Sequence, residues 1–149
     1  MNDAAVAATP EISVVLATDS WQAVRQAFEA FGRQSAAGRL EVLLVAPRAE
    51  LERVDLGGAG ALAVVHRVEA ESPFELSRAR AQGARAASAP RVFVGETHSF
   101  AEPTLAAELL AALEQAPRGE VPPALVPCIY NVNPTGAVSW ASFLIDYGA

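Results

Sequence analysis

Length, composition and charge exclude several classes of protein. With 149 residues, 52% of them hydrophobic and 19% charged, the chain can fold around one core. Its net charge of -6 predicts no binding to nucleic acid, which needs a basic partner surface. No apolar run approaches the roughly 20 residues of a membrane helix, so we expect no integral membrane segment. Residues 1–10 lack the basic start of a signal peptide and predict a disordered leader on a cytoplasmic protein.

Lysine and cysteine usage narrows the chemistry further. The chain has no lysine, which excludes a P-loop phosphate clamp, a Schiff-base site and a lysine general base. Cys128 is the only cysteine, which excludes an internal disulfide and a clustered-cysteine zinc site, and we expect its thiol to be buried. Chemistry must therefore come from carboxylates, arginines, hydroxyls and the two histidines, His66 and His98.

In the first half of the chain, short apolar runs alternate with helical spacing. Residues 12–17 predict a first strand, followed by a Thr-Asp-Ser cap and an amphipathic helix from Trp21. Residues 40–46 predict a second strand closed by proline, with a short helix and a glycine turn after it. Residues 61–68 predict a third strand.

The second half continues the alternation. Ser72-Pro73-Phe74-Glu75 has the residue types of a helix start, and that helix runs to about Ser88, with Gly83 as a weak point of about 1 kcal/mol. Residues 92–95 predict a fourth strand. The remaining predicted elements are a helix marked by leucines from 105, a loop over 117–123, a strand over 124–130 and a helix around 140–147.

Such alternation predicts an α/β fold with a mostly parallel sheet covered by helices. Ligands of these sheets bind at the carboxyl ends of the strands. One of those ends carries Glu96 and His98, which point the same way in an extended segment and could share a metal ion or a phosphate. The alternative is a solvated turn residue beside a histidine that caps the turn.

Other polar residues have simpler interpretations. Thr18 and Asp19 fit helix capping, and the helix arginines Arg78, Arg80 and Arg85 fit solvated ion pairs, although they could also neutralise a diphosphate. His66 fits a structural histidine within a strand. The chain has neither a G-x-S-x-G elbow nor a G-x-G-x-x-G loop, so a hydrolase triad and a dinucleotide site lack support.

Three stretches, PEISVVLAT, LEVLLVAP and ARAQGARAASAPRVFVGETHSFAEP, resemble the nucleotide-sugar-binding N-terminal half of family 2 glycosyltransferases with the GT-A fold. In that family a helix with the pattern A-R-N-x-G leads to a strand that ends in an Asp-x-Asp type metal motif, with a proline shortly after. Ala79, Arg80 and Gly83 match the helix. Glu96-Thr97-His98 stands at the metal motif, and Pro103 follows it.

The resemblance implies a Rossmann-like three-layer α/β/α sandwich over residues 11–149, in a truncated form that lacks most of the acceptor half. It implies binding of a nucleotide-diphosphate sugar together with a divalent ion, Mg²⁺ or Mn²⁺, held by an oxygen of Glu96 and a nitrogen of His98. The residues implied to contact the nucleotide sugar are Ala17, Thr18, Asp19, Ala46, Arg48, Arg80 and Thr97.

The sequence also departs from the family. Ala46-Pro47-Arg48 lacks the acid usual after the second strand, and Ala81 replaces the asparagine of the helix motif. Asp146 is the acid near the end of the chain that could act as general base, although it also fits a solvent-facing helix position. No catalytic residue is therefore assigned.

Three functions remain open at this point. The resemblance implies sugar transfer to an unknown acceptor, and the alternative is a non-catalytic nucleotide-sugar-binding or protein-interaction module with the same fold. A flavodoxin-like regulatory domain shares the alternation of elements, but the chain lacks its acidic cluster and lysine. The apolar C-terminal segment suggests a homo-oligomer or a missing C-terminal partner region.

Overall fold

The computed structural model describes residues 9–71, 75–116, 124–131 and 135–147. The chain divides into two compact units, residues 1–112 and 113–149. The first unit contains a four-stranded sheet in the order β3-β2-β1-β4. Its strands are β1 (Ile12–Ala17), β2 (Leu40–Ala46), β3 (Val64–Glu69) and β4 (Val92–Gly95). The helices along the chain are α1 (Trp21–Gly32), α2 (Arg48–Leu51), α3 (Leu76–Ala86), α4 (Leu105–Gln115) and α5 (Ala137–Tyr147).

All neighbouring strands of this sheet run parallel, which confirms the predicted α/β class. β1 is central, with Val14 beside Val42 of β2 on one side and beside Phe93 of β4 on the other. Every residue of β1 and β2 is buried. Strands covered on both faces need apolar residues at successive positions, which is why both sequences are apolar apart from Ser13 and Glu41.

Helices cover both faces of the sheet, giving three layers. On one face, α1 and α4 pack on the sheet through Phe28 and Leu110, both buried in the larger core. On the other face, Ala79 of α3 packs in a smaller cluster with Val15 and Val45. The burial of these apolar side chains is the main favourable contribution to the stability of this unit.

Two glycines allow close approaches that a side chain would block. A Cβ at Gly83 of α3 would lie 2.5 Å from a methyl carbon of Val15, so the predicted weak point of this helix is where the helix meets the sheet. Gly60 has a φ of 57°, and a Cβ there would lie 2.2 Å from the carbonyl oxygen of Gly32 at the end of α1. Both glycines therefore serve packing.

A buried carboxylate joins β1 and β2 to the segment between α3 and β4. Glu41 is 1% exposed and accepts hydrogen bonds from the Ser13 hydroxyl, from the backbone N-H and the hydroxyl of Ser88, and from the backbone N-H of Ala89. Its Oε2 also lies 3.1 Å from Nε2 of His66, which confirms a structural setting for that histidine. Burial by itself raises the pKa of Glu41, but the hydrogen bonds from the two serines and Ala89 outweigh burial and lower the pKa from 4.5 to about 2.

The predicted fifth strand over residues 124–130 is wrong. Those residues are described and form neither strand nor helix. Pro127 lies in the middle of the segment and has no backbone N-H to donate to a neighbouring strand, which disfavours a place inside a sheet. The third strand also begins later than predicted, at Val64, because the preceding residues form the turn against α1.

Several predictions at segment ends lie partly outside the described residues. Ser72, Pro73 and Phe74 of the predicted helix start are outside, and the described helix α3 begins at Leu76 with no side-chain cap from Glu75. The predicted loop over residues 117–123 is outside, as are residues 1–8 of the predicted leader. A single domain over residues 11–149 stays a prediction.

The second unit contains α5, as the helical spacing predicted. Within it, the rings of Trp140 and Phe143 lie 6.0 Å apart between centroids, and those of Phe143 and Tyr147 lie 5.6 Å apart. Cys128 is exposed, so the expectation of a buried thiol is wrong. Among the described residues of the whole chain, no helix has the length and apolar composition needed to cross a bilayer.

Candidate functional site

The strand order makes the carboxyl edge between β1 and β4 the candidate position for a ligand. From β1 the chain moves outward through β2 to β3, and then returns across the sheet to β4 on the other side of β1. Where the direction of crossover reverses in a parallel sheet, the loops at the carboxyl ends diverge and leave a crevice. Leu16 pairs with Gly95, so the residues that follow β1 and β4 leave the sheet at the same edge.

Thr18 and Asp19 follow β1 at this edge. Thr18 is 4% exposed, and its hydroxyl donates to the carbonyl of Ser20 at 2.8 Å and accepts from the N-H of Ser20 at 3.0 Å. The hydroxyl therefore shapes the turn into α1. Asp19 is exposed, and its carboxylate makes no hydrogen bond or ion pair with the described part of the chain. Ligand contact by Ala17, Thr18 or Asp19 stays a prediction.

The segment after β4 brings three charged or titratable side chains together. Oε2 of Glu96 lies 3.2 Å from Nε2 of His98, and Oε1 of Glu96 lies 3.9 Å from a guanidinium nitrogen of Arg80 on α3. The side chains are 38%, 66% and 36% exposed, so solvent or a ligand can reach all three. Residues from one loop and one helix thus form a mixed-charge cluster, named here the Glu96 cluster.

The guanidinium of Arg80 does not use all of its hydrogen-bond donors within this cluster. Its Nε is buried and has no hydrogen-bond partner in the described structure. Its contact with Glu96, at 3.9 Å and partly exposed, is of the kind that contributes about 0–1 kcal/mol. The ion pair with Glu96 is therefore weak, and breaking it to let the guanidinium bind another acidic group would cost little.

The Glu96 cluster offers two metal donors, one carboxylate oxygen and one imidazole nitrogen. No group of three or more histidine, cysteine, aspartate or glutamate side chains that could hold a metal is present in the described ranges. Two donors still fit an ion of the kind that binds one or two carboxylates and completes its shell with substrate phosphates and water. The residues therefore fit a divalent ion that is bound together with a phosphate ligand.

The other predicted contacts lie around this edge. Ala46 ends β2 and is 3% exposed, and its carbonyl accepts from the N-H of Ala70 at 2.9 Å. Arg48 begins α2, is exposed, and pairs with Glu52 at 3.8 Å on the surface. Thr97 lies in the turn between the two donors of the Glu96 cluster and is partly buried. Their contact with a ligand stays a prediction.

The two other helix arginines have surface roles. Arg78 pairs with Glu75 at 3.1 Å, and both side chains are more than half exposed, as expected for a solvated ion pair. Arg85 is exposed near the end of α3. Arg80 is the arginine of this helix that reaches Glu96, because it lies on the face that Ala79 and Gly83 pack against the sheet.

Glu50 is a residue that the sequence analysis missed. Its Oε2 accepts from the N-H of Trp21, the first residue of α1, at 2.9 Å, and its Oε1 pairs with Arg53 at 2.8 Å. Ser20, at the cap position of α1, makes no side-chain capping bond. A carboxylate thus already occupies the positive end of α1, and a second anion there would be repelled. The start of α1 is therefore a poor position for an anionic ligand.

Comparison with known proteins identifies the fold but no sequence family. No family profile matches the chain, and no curated protein matches it significantly.

The side chain of Asp146, the candidate general base, lies outside the described part of the structure.

Solved structures do match. The crystal structure of S. aureus TarS, a glycosyltransferase, has a TM-score of 0.59 at 13% identity and covers 70% of this chain and 20% of the TarS chain. The structure of TarS residues 1–349 in complex with UDP has a TM-score of 0.56 at 12% identity and covers 70% of this chain and 32% of that one. This chain therefore spans a third or less of these proteins, and its α/β fold, with an all-parallel sheet flanked by helices, is shared with glycosyltransferase structures.

Proposed function

We propose that this chain binds a nucleotide-diphosphate sugar at the carboxyl edge between β1 and β4, as the donor-binding part of a family 2-like glycosyltransferase. The observation that carries the proposal is the position of the Glu96 cluster, which follows β4 at the edge of the sheet where the neighbouring strand β1 also ends. The shared fold supports it, since TarS was solved with UDP.

At this edge of the sheet, the charges of the protein favour a diphosphate beside Arg80. The chain is acidic overall, and Glu50 occupies the positive end of α1. Arg80 provides a permanent positive charge in a chain without lysine, and its planar guanidinium matches two phosphate oxygens. The diphosphate is therefore proposed to lie against Arg80, with Ala17, Thr18, Asp19 and Thr97 lining the crevice and with Ala46 and Arg48 toward the base.

A divalent ion would complete this arrangement. Glu96 and His98 would hold it, and when bound it supplies positive charge that stabilises the departing nucleoside diphosphate. Arg80 lies beside Glu96 and adds a second positive charge at the same place. The acceptor, the general base and the sugar are left open by this proposal.

Binding without transfer is the second candidate. All three residues of the Glu96 cluster would help to neutralise the diphosphate, Arg80 directly and Glu96 and His98 through the ion. Neutralising the diphosphate would strengthen binding of the nucleotide sugar whether or not the sugar is then transferred. A nucleotide-sugar-binding module would therefore need the same three side chains. Sugar release from the nucleotide, with or without an acceptor, separates the two functions.

Calorimetric titration tests the binding proposal. UDP, GDP, ADP and their common sugar derivatives are titrated into the full chain with Mn²⁺, with Mg²⁺ and with EDTA. We expect one nucleoside diphosphate class to bind, and we expect Arg80→Ala to weaken its binding by about tenfold or more, since a charge-assisted hydrogen bond contributes about 1.5–3 kcal/mol.

Arg78→Ala is the matched control for Arg80→Ala. It removes a guanidinium from the same helix, but Arg78 pairs with Glu75 in solvent and does not reach the Glu96 cluster. Circular dichroism verifies that both variants fold. The proposal fails if no nucleotide binds under any condition, or if the two variants weaken binding equally, because binding would then depend on overall charge.

A further inference from the structure

The segment that joins β4 to α4 carries two of the three side chains of the Glu96 cluster. Residues 96–104 form turns and irregular backbone, with neither helix nor strand. One end of the segment is fixed by β4, which pairs with β1. The ion pairs of Glu96 with Arg80 and His98 are partly exposed, and such pairs contribute little to holding a backbone in place. The position of the two side chains therefore depends also on what holds the other end of the segment.

Gln34, just after the end of α1, holds that other end. Its Nε2 donates to the carbonyl of Glu102 at 2.6 Å, and its Oε1 accepts from the N-H of Ala106 at 2.9 Å. The backbone N-H of the next residue, Ser35, donates to the carbonyl of Pro103 at 2.8 Å. Two consecutive residues thus bind both the start of α4 and the last part of the segment before it.

The burial of Gln34 makes these hydrogen bonds hard to replace. Gln34 is 5% exposed and Ala106 is 3% exposed, so water has little access to either residue. Ala106 lies in the first turn of α4, where a backbone N-H has no partner within its own helix. Without the Gln34 amide, this N-H would be buried and unsatisfied unless the turn moved toward water. Gln34 is itself tied to α1, because its Nε2 also donates to the carbonyl of Ala30 at 3.3 Å.

We propose that Gln34 is a positioning residue for the Glu96 cluster. It fixes the segment that carries Glu96 and His98, and it is itself too buried to touch a ligand. This inference rests on the proposed function and goes further by naming a residue outside the cluster on which ligand affinity depends. A loose segment would have to become ordered when the ligand binds, and that ordering would reduce the affinity.

Nitrogen-15 relaxation of the full chain without ligand tests the positioning role directly. Gln34→Met keeps the length of the side chain and removes both hydrogen-bonding groups, whereas Gln34→Ala also removes the packing. Backbone order parameters report motion within the folded state, so a general loss of stability does not change them while the chain stays folded. We expect the values for residues 97–101 to fall from about 0.85 to below about 0.6 in both variants, with β1 unchanged.

Leu43→Val is the matched control for a general loss of stability. Leu43 is fully buried in the smaller cluster, on the face of the sheet opposite to α1 and α4. The variant therefore loses a buried methylene group at a distance from Gln34. Its free energy of unfolding in urea should fall, but its order parameters at residues 97–101 should equal those of the unmodified chain.

Calorimetric titration of UDP, GDP and ADP in the presence of Mn²⁺ measures the consequence for ligand binding. We expect Gln34→Met to weaken binding of the preferred nucleotide by about tenfold, because the ligand must then order the segment. Leu43→Val should bind that nucleotide as the unmodified chain does.

The possible outcomes separate this inference from the proposed function. Order parameters that stay high in both Gln34 variants, or that fall equally in Leu43→Val, overturn the inference. Unchanged nucleotide affinity in Gln34→Met also overturns it, and in each case nucleotide binding by the unmodified chain stands. Failure of the unmodified chain to bind any of the three nucleotides overturns the proposed function, and the role of Gln34 in ligand affinity with it. A loosened segment and weakened binding in Gln34→Met, with neither change in Leu43→Val, support the inference.

Discussion

Replacing Glu41 with glutamine should remove a defined part of the pH dependence of stability. Glu41 is 1% exposed and accepts its hydrogen bonds as a carboxylate, which lowers its pKa from 4.5 to about 2. Because the folded state binds the proton more weakly than the unfolded state does, the ionised carboxylate stabilises the folded state above about pH 5. That stabilisation is lost as the pH falls toward 2.

The pKa shift sets the size of the effect. A shift from 4.5 to about 2 corresponds to about 3 kcal/mol of stability, of which about 2 kcal/mol is lost by pH 3. Glutamine keeps the shape of the side chain but has no proton to bind, so Glu41→Gln should be less stable at pH 7. The difference between the two proteins should shrink by about 2 kcal/mol between pH 7 and pH 3.

Urea denaturation followed by circular dichroism at pH 7, 5, 4 and 3 measures this difference. Glu52→Gln is the matched control, because Glu52 is 73% exposed and lies 3.8 Å from Arg48 on the surface. Its stability should run parallel to that of the unmodified chain at every pH. If Glu41→Gln also runs parallel from pH 7 to pH 3, the hydrogen bonds from Ser13, Ser88 and Ala89 do not hold the carboxylate as inferred.

Three further substitutions test how the layers pack. Gly83→Ala should destabilise the fold by about 1–3 kcal/mol, because the added Cβ would lie 2.5 Å from Val15, and this clash outweighs the better helix propensity of alanine. A higher melting temperature for the variant would contradict this expectation. Gly60→Ala should cost about 1–3 kcal/mol from its φ of 57° alone, and more from the contact with Gly32, so an unchanged urea midpoint would refute it. Gln34→Ala removes a side-chain amide that donates to the carbonyl of Glu102 at 2.6 Å and accepts from the N-H of Ala106 in α4 at 2.9 Å. The free energy of unfolding should fall by about 2 kcal/mol, and an unchanged value would contradict this expectation.

The class of fold followed from local patterns, while the number of strands did not. Nearly continuous apolar runs at residues 12–17 and 40–46 predicted strands buried on both faces, and both strands are buried throughout. The run over residues 124–130 is also mostly apolar, but it contains Pro127 and forms no strand. Strand formation depends on a neighbouring strand that supplies hydrogen bonds, and the sequence of one segment does not show whether a neighbour is present.

The candidate site was predicted unevenly for the same reason. Glu96 and His98 are two residues apart, so local geometry was enough to pair them, and they meet at 3.2 Å. The resemblance to a helix motif pointed to Arg80, which reaches Glu96 from α3. Glu50 was missed because it caps a helix 29 residues earlier in the chain, and a contact at that separation leaves no local pattern.

By itself, the sequence determined the alternation of strands and helices, the parallel class of the sheet, the absence of lysine chemistry and the pairing of Glu96 with His98 after β4. These features depend on residue type and on short spacings, which act within a few residues. Only the tertiary structure decided the strand order, the burial of Glu41, the close fit of Gly83 against β1 and the place of Glu50 at the start of α1. Each of these depends on contacts between distant segments, whose energies arise only when the layers pack.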